Sequence, residues 1–146
     1  SIISGLPTTT LKGAWRRAVS SYTELGTCKV EIPDFVSAVE GCHCLRGHEG
    51  YTAFAITPAP GGIIISVETS VGSYSREISC KIRGSRVSEI VPQKWSTEQV
   101  LQYLKHPSGD ILDIIFHLDG DPLCLFDGVV RFWTVPMQPL GTASKK

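Results

Sequence analysis

Cys42, His43, Cys44 and His48 form the densest group of metal-binding side chains in the sequence. Thiolate and imidazole are the ligands zinc prefers, and a Cys-x-Cys pair can chelate one ion. Structural zinc sites, however, use wider spacings and a second ligand pair far away in sequence, and no matching pair occurs here. The expectation is buried thiols with exposed histidines, and no bound metal. A second group, Asp110, Asp113, Asp119 and Asp121 with His117, lies within DILDIIFHLDGDP. Asp113 and His117 fall on one face of a strand and could exchange a proton, but no nucleophile accompanies them. Asp119-Gly120-Asp121-Pro122 reads as a turn, since a calcium loop would want more oxygen ligands and a closing Glu. There is no Gly-rich phosphate loop, no His-Glu-x-x-His and no Gly-x-Ser-x-Gly elbow. The chain therefore reads as a non-enzyme with no catalytic residue and no cofactor.

The elements that would position these groups are legible in the apolar spacing. Asp110–Val135 is the densest apolar stretch and contains two Asp-Gly pairs, the strongest short-range hairpin signal. It predicts strands at 111–118, 122–126 and 129–135. In the first, Leu112, Ile114, Phe116 and Leu118 share one face, with Ile111, Asp113, Ile115 and His117 on the other. Ile63–Val71 and Tyr74–Ile82 alternate in the same way around Gly72-Ser73. A two-residue turn there would pair Val71 with Tyr74, Val67 with Ile78 and Ile63 with Ile82, placing Glu68 opposite Glu77. Further strands are expected at 27–32 and 51–57. Leu11, Ala14, Trp15, Ala18 and Tyr22 have helical spacing, with Lys12, Arg16 and Arg17 on the opposite side. That basic face is either solvated or a contact for lipid or nucleoprotein. Asp34 is placed to cap a helix carrying Phe35, Val36, Ala38, Val39 and Cys42. Trp95-Ser96-Thr97-Glu98-Gln99-Val100 combines a cap, its reciprocal Gln and an apolar staple, and Pro107 stops that helix.

The fold class is α+β: a single domain of antiparallel sheet and hairpins, ending in a β meander, covered by about three helices. Residues 1–9 would be an arm, 10–135 the domain and 136–146 a tail. A chain of 146 residues fits one core, and 42% hydrophobic against 19% charged residues excludes a disordered chain. Fourteen basic residues balance fourteen acidic ones, so no global field draws the chain to nucleic acid or an anionic membrane. The basic residues near the central hairpin are interleaved with Glu68, Glu77 and Glu89, and sequence-specific nucleic-acid binding is not expected. Five cysteines, odd in number and irregular in spacing, favour reduced thiols. No apolar run approaches the ~20 residues of a membrane span, and no secretory signal is visible.

The order TCKVEI, PDFVSAVEGC, YTAFAIT, long hairpin, WSTEQVLQYL and terminal meander resembles the matrix proteins of rhabdoviruses and related nonsegmented negative-strand RNA viruses. The segment IIFHLDGDPLCLFDGVVRFW is also similar to the C-terminal strands of the bornavirus matrix protein. The resemblance implies a viral structural protein that self-associates, links nucleocapsid to envelope and acts in assembly and budding. It would occupy the virion and the host-cell interior, with itself and a viral nucleoprotein as partners. Membrane contact in that family runs through a basic N-terminal segment; these 146 residues show no such segment and carry zero net charge, so for them membrane contact is a secondary expectation. Self-association would use Ile2, Ile3 and Leu6 of the arm together with Trp133 of the meander, while Lys12, Arg16 and Arg17 would contact a partner. The competing reading is a small β-rich module, of capsid or host regulatory type, that binds a protein or ligand.

Overall fold

The computed structural model describes residues 2–3, 22–46 and 52–137. Nine strands and two α-helices follow one another: β1 (Ile2–Ile3), β2 (Glu24–Glu31), α1 (Ile32–His43), β3 (Ala53–Ala59), β4 (Gly62–Glu68), β5 (Ser73–Ser79), β6 (Lys94–Ser96), α2 (Thr97–Tyr103), β7 (Ile111–His117), β8 (Leu123–Phe126) and β9 (Arg131–Thr134). A 3-10 turn at Val87–Glu89 lies between β5 and β6. One sheet has the order β1-β9-β8-β7-β2 and the other β5-β4-β3-β6. All pairs are antiparallel except β1 on β9. The α+β class expected from the sequence is what the structure has.

The connectivity is a repeat. β2-α1-β3-β4-β5 and β6-α2-β7-β8-β9 are each a strand, a helix and a three-stranded meander. The first strand of each unit leaves its own meander and joins the other: β2 pairs with β7, and β6 pairs with β3. After each meander the chain returns to the first strand of its own unit. Arg83 bridges Thr27 on β2, and the Met137 N–H donates to the Lys94 carbonyl on β6 at 2.8 Å. Each unit thus lends a strand to the other, so neither sheet is complete without both. Gly84 belongs to the first of these crossings; a Cβ there would stand 2.5 Å from the Leu25 carbonyl.

Both sheets and both helices feed one apolar core that includes Phe35, Val39, Phe54, Ile63, Ile65, Val100, Leu112, Ile114 and Leu125. The alternation on β7 is as expected, with Leu112, Ile114 and Phe116 buried and Ile111 exposed. Ile65 and Ile78 both point inward from the central hairpin. Its register differs from the expected one by four residues: Val67 pairs with Tyr74 and Ile63 with Ile78. An even shift leaves every side chain on its expected face. The turn is the four-residue Thr69–Gly72, because the Thr69 hydroxyl accepts from the Val71 N–H at 3.1 Å and the Thr69 N–H bonds the Gly72 carbonyl at 2.8 Å. The shorter pairing also separates the two glutamates: Glu68 faces Ser73 and Glu77 faces Ile64.

Helix α1 begins one turn earlier than its capping signal suggested. Glu31 is the N-cap with no side-chain bond, Pro33 occupies the first turn, and Asp34 lies inside it. Asp34 instead reaches Arg76 of β5 at 3.6 Å, and Arg76 also donates to the Ser37 hydroxyl at 2.9 Å. Gly41 is a packing residue, because a Cβ there would enter the ring of Tyr74. Helix α2 starts as its signature indicates, with Ser96 accepting from the Gln99 N–H at 3.2 Å. The Gln99 side chain does not return that bond; it accepts from the Thr134 hydroxyl at 3.1 Å and so ties α2 to β9. The predicted helix at 11–22 lies outside the described residues, apart from Tyr22.

Candidate functional site

The sequence-flagged chemistry is dispersed. Cys42 is fully buried in the core, and burial pushes its thiol up to about 11, so it stays protonated. Cys44 is exposed, and His48 lies outside the described residues. His43 turns toward α2, its Nδ1 2.8 Å from the Thr97 hydroxyl. That hydroxyl donates to the Thr52 carbonyl at 3.0 Å, so the imidazole Nδ1 carries the proton and is the donor to Thr97. The pair joins the ends of the two helices. Among the described residues no three His, Cys, Asp or Glu come close enough to hold a metal ion.

Asp113 and His117 share a strand face but engage different partners. Asp113 pairs with Lys29 at 2.8 Å. His117 donates from Nδ1 to the Pro122 carbonyl at 3.0 Å and is stacked on Trp133, with ring centroids 5.5 Å apart. Tyr22 closes the same cluster, 5.8 Å from the His117 ring and 6.0 Å from that of Trp133. Burial lowers the His117 pKa, against the opposing effects of the Pro122 carbonyl, Glu24 and Asp121. Trp133, proposed from the sequence as a self-association residue, is only 8% exposed. Of the arm, Ile2 and Ile3 form a strand along β9 of the same chain. Leu6, Lys12, Arg16 and Arg17 lie outside the described residues. The Asp119–Pro122 stretch is a turn, closed by the Asp121 N–H on the Leu118 carbonyl at 2.9 Å.

Sequence reasoning missed the role of Asp127. Its Oδ1 accepts from the Val129 and Val130 N–H groups at 3.0 and 2.8 Å, and its Oδ2 accepts from Ser108 at 3.0 Å. The Asp-Gly signal located the turn, but not the tie to the loop before β7.

Two surfaces are candidates for contact with other molecules. The first is the helix pair, which packs α1 against α2. Its exposed positions include Ser37, Glu40, Glu98, Gln99 and Gln102, and neither helix contains Lys or Arg. The second is the pair of strand edges at the ends of the two meanders. Among the described residues β5 has no strand beyond it over its seven residues, and β9 carries the two residues of β1. An edge presents a row of backbone donors and acceptors that another strand can complete.

No family model matches the sequence, and no curated protein matches it. Solved structures do match in fold. The DNA polymerase sliding clamp of Bacillus subtilis superimposes with a TM-score of 0.72 at 16% identity, covering 93% of this chain and 34% of its own. A putative DNA polymerase III beta subunit of Eubacterium rectale gives 0.72 at 10% identity, covering 84% of this chain and 32% of its own. The C. crescentus beta sliding clamp, with polyethylene glycol at a putative beta-motif tethering region, gives 0.65 at 14% identity over 78% and 30%. These findings correct the matrix-protein reading, and with it the expectations of nucleocapsid linkage, budding and a place in the virion. Strand-helix-hairpin order is common to many folds, whereas the exchange of first strands between two units is specific, and no sequence spacing reports it. At these identities the likeness shows the fold, and the chain spans about a third of the length of the clamp chains it matches.

Proposed function

We propose that this chain is a non-catalytic clamp-type domain that assembles edge to edge with like domains into a ring around duplex DNA and serves a DNA polymerase there. The observation that carries this reading is the exchanged pair of strand-helix-meander units, which among the described residues leaves β5 and, beyond the two-residue β1, β9 at the outer ends of their meanders. Two different edges on one body make a head-to-tail contact, and such a contact either closes into a ring or grows into a filament. Coverage of about a third of the sliding-clamp chains is what one module of a larger ring would give. The helix pair, with Glu40 and Glu98 and no Lys or Arg, offers phosphates no grip. Retention on DNA then depends on enclosure rather than affinity, which suits a protein that must slide.

The test uses nicked circular duplex DNA and the protein in its full natural length. Co-elution with the circle at 0.2 M salt, lost when one restriction cut linearises the DNA, is the expected result. Equal binding to circular and linear DNA, or a steep decline with salt of the kind phosphate contacts produce, would overturn it.

A further inference from the structure

The two meander edges are equivalent in the repeat but unequal in the structure. β5 is open, whereas β9 is covered by Ile2 and Ile3, paired in parallel with Phe132 and Trp133. We infer that this short strand is a removable cap on β9, which competes with the β5 edge of a second copy and so holds assembly in check. The inference rests on the clamp reading, since it supplies the regulation of that assembly edge.

Three observations support a second copy as the competing occupant. The cap is weak, because two residues in parallel register make few ladder bonds, and a parallel pair is slightly less stable per residue than an antiparallel one. A seven-residue strand laid along the four residues of β9 would satisfy more backbone groups than the two-residue cap does. The charges also match: Arg131 is exposed on β9, and Glu77 is exposed on β5 and joins none of the ion pairs among the described residues. The β9 edge is otherwise well ordered for docking. Phe132 stacks on Tyr103 at 4.9 Å, Thr134 is tied to Gln99, and the Arg131 guanidinium lies 4.7 Å over the Phe126 ring.

The experiment compares the intact chain with an Ile2→Pro/Ile3→Pro variant, which cannot form the cap. Sedimentation velocity is run across a wide concentration range without DNA. Amide exchange in β9 is followed at low and high concentration. The expected result is association tightened about tenfold or more in the variant. Its β9 amides should exchange quickly when dilute and regain protection when concentrated. Adding Glu77→Pro should abolish the gain, while Arg131→Glu should weaken association and Glu77→Arg restore it. Ile2→Gly/Ile3→Gly is the milder variant and should shift association in the same direction. Unchanged association overturns the inference, and so does association that Glu77→Pro leaves intact. Weakened association also overturns it, and would mean that the strand is exchanged between copies instead. The outcomes separate from those of the DNA experiment. A chain retained on circles with no effect of the cap refutes only the cap, whereas uncapped copies that associate but are never retained refute the clamp reading.

Discussion

Replacing Asp127 by Ala removes three charge-assisted hydrogen bonds accepted by the two oxygens of one side chain that is only 3% exposed. The carboxylate fixes the β8–β9 turn through Val129 and Val130, and through Ser108 it fixes the loop that feeds β7. A hydrogen bond to a charged group contributes about 1.5–3 kcal/mol, but Ser108 and Val129 are exposed, so water can replace part of what they lose. The expected loss is therefore about 2–4 kcal/mol rather than three full bonds, or a Tm lowered by roughly 6–14 °C in a domain of this size. Asp127→Asn keeps the Oδ1 bonds but turns an amide NH2 toward the Ser108 N–H, and should lose about 1–2 kcal/mol. Burial raises the Asp127 pKa, but the Val130, Ser108 and Val129 N–H groups outweigh it, and the net value lies below the ordinary 3.8. With the folded value below the unfolded one, the contribution is fully present above about pH 4 and is lost as pH falls through the folded value. Urea unfolding at pH 7 and across pH 2–5, for wild type and both variants, measures all of this. A loss under 1 kcal/mol in Asp127→Ala, or an unchanged acid slope, would refute the role assigned to the carboxylate.

Gly41→Ala places a methyl group in the Tyr74 ring, and should lose about 1–3 kcal/mol despite the better helix propensity of Ala; adding Tyr74→Ala should remove most of that penalty in a double-mutant cycle. Burial holds His117 below the ordinary histidine value near 6.5, so the unfolded chain binds its proton first. Stability should accordingly be full above about pH 6.5 and decline below it, a slope that His117→Gln should abolish in urea titrations at pH 5–7.5. Thr52 has a buried hydroxyl with no hydrogen-bond partner among the described residues, so Thr52→Val should be neutral or stabilising by about 0.5–1.5 kcal/mol, and a loss above 1 kcal/mol would show that the hydroxyl is used.

The strands and helices were legible because their signals are local. Alternation at Leu112, Ile114 and Phe116 follows from the pleat, and the Ser96 cap on Gln99 follows from the unpaired N–H groups of a helix start. Hairpin register was less legible. Gly72-Ser73 carried a genuine turn signal, but it did not compete alone: the Thr69 hydroxyl captured the Val71 N–H, and the shift removed the Glu68–Glu77 pairing. The reason for Gly41, the face of Tyr74, arrives from β5 more than thirty residues away and leaves no local signal. Asp127 likewise looked like half of a turn dipeptide until Ser108 came within reach.

What no local signal could report is that each meander completes its sheet with the other unit's first strand. In sequence, TCKVEI precedes a helix and so reads as the start of the unit that follows it, whereas Trp95-Ser96 reads as the helix start itself and the short strand Lys94–Ser96 goes unseen. In the fold β2 lies against β7 and β6 against β3, so each helix connects a strand in one sheet to a meander in the other. That exchange also accounts for the burial of Trp133. The face of the terminal meander that carries Trp133 holds the His117–Trp133–Tyr22 cluster within this chain. Trp133 on that face is thus engaged within the chain. Among the described residues, backbone groups left for another strand lie on β5 and, beyond its two-residue pairing with β1, on β9, where composition and hydropathy carry no signal. An edge strand such as Ser73–Ser79, with Tyr74 and Ile78 turned inward and Ser75, Glu77 and Ser79 exposed, looks like a solvated hairpin arm. Its edge N–H and C=O groups become visible only once the strand order shows that no described strand lies beyond it.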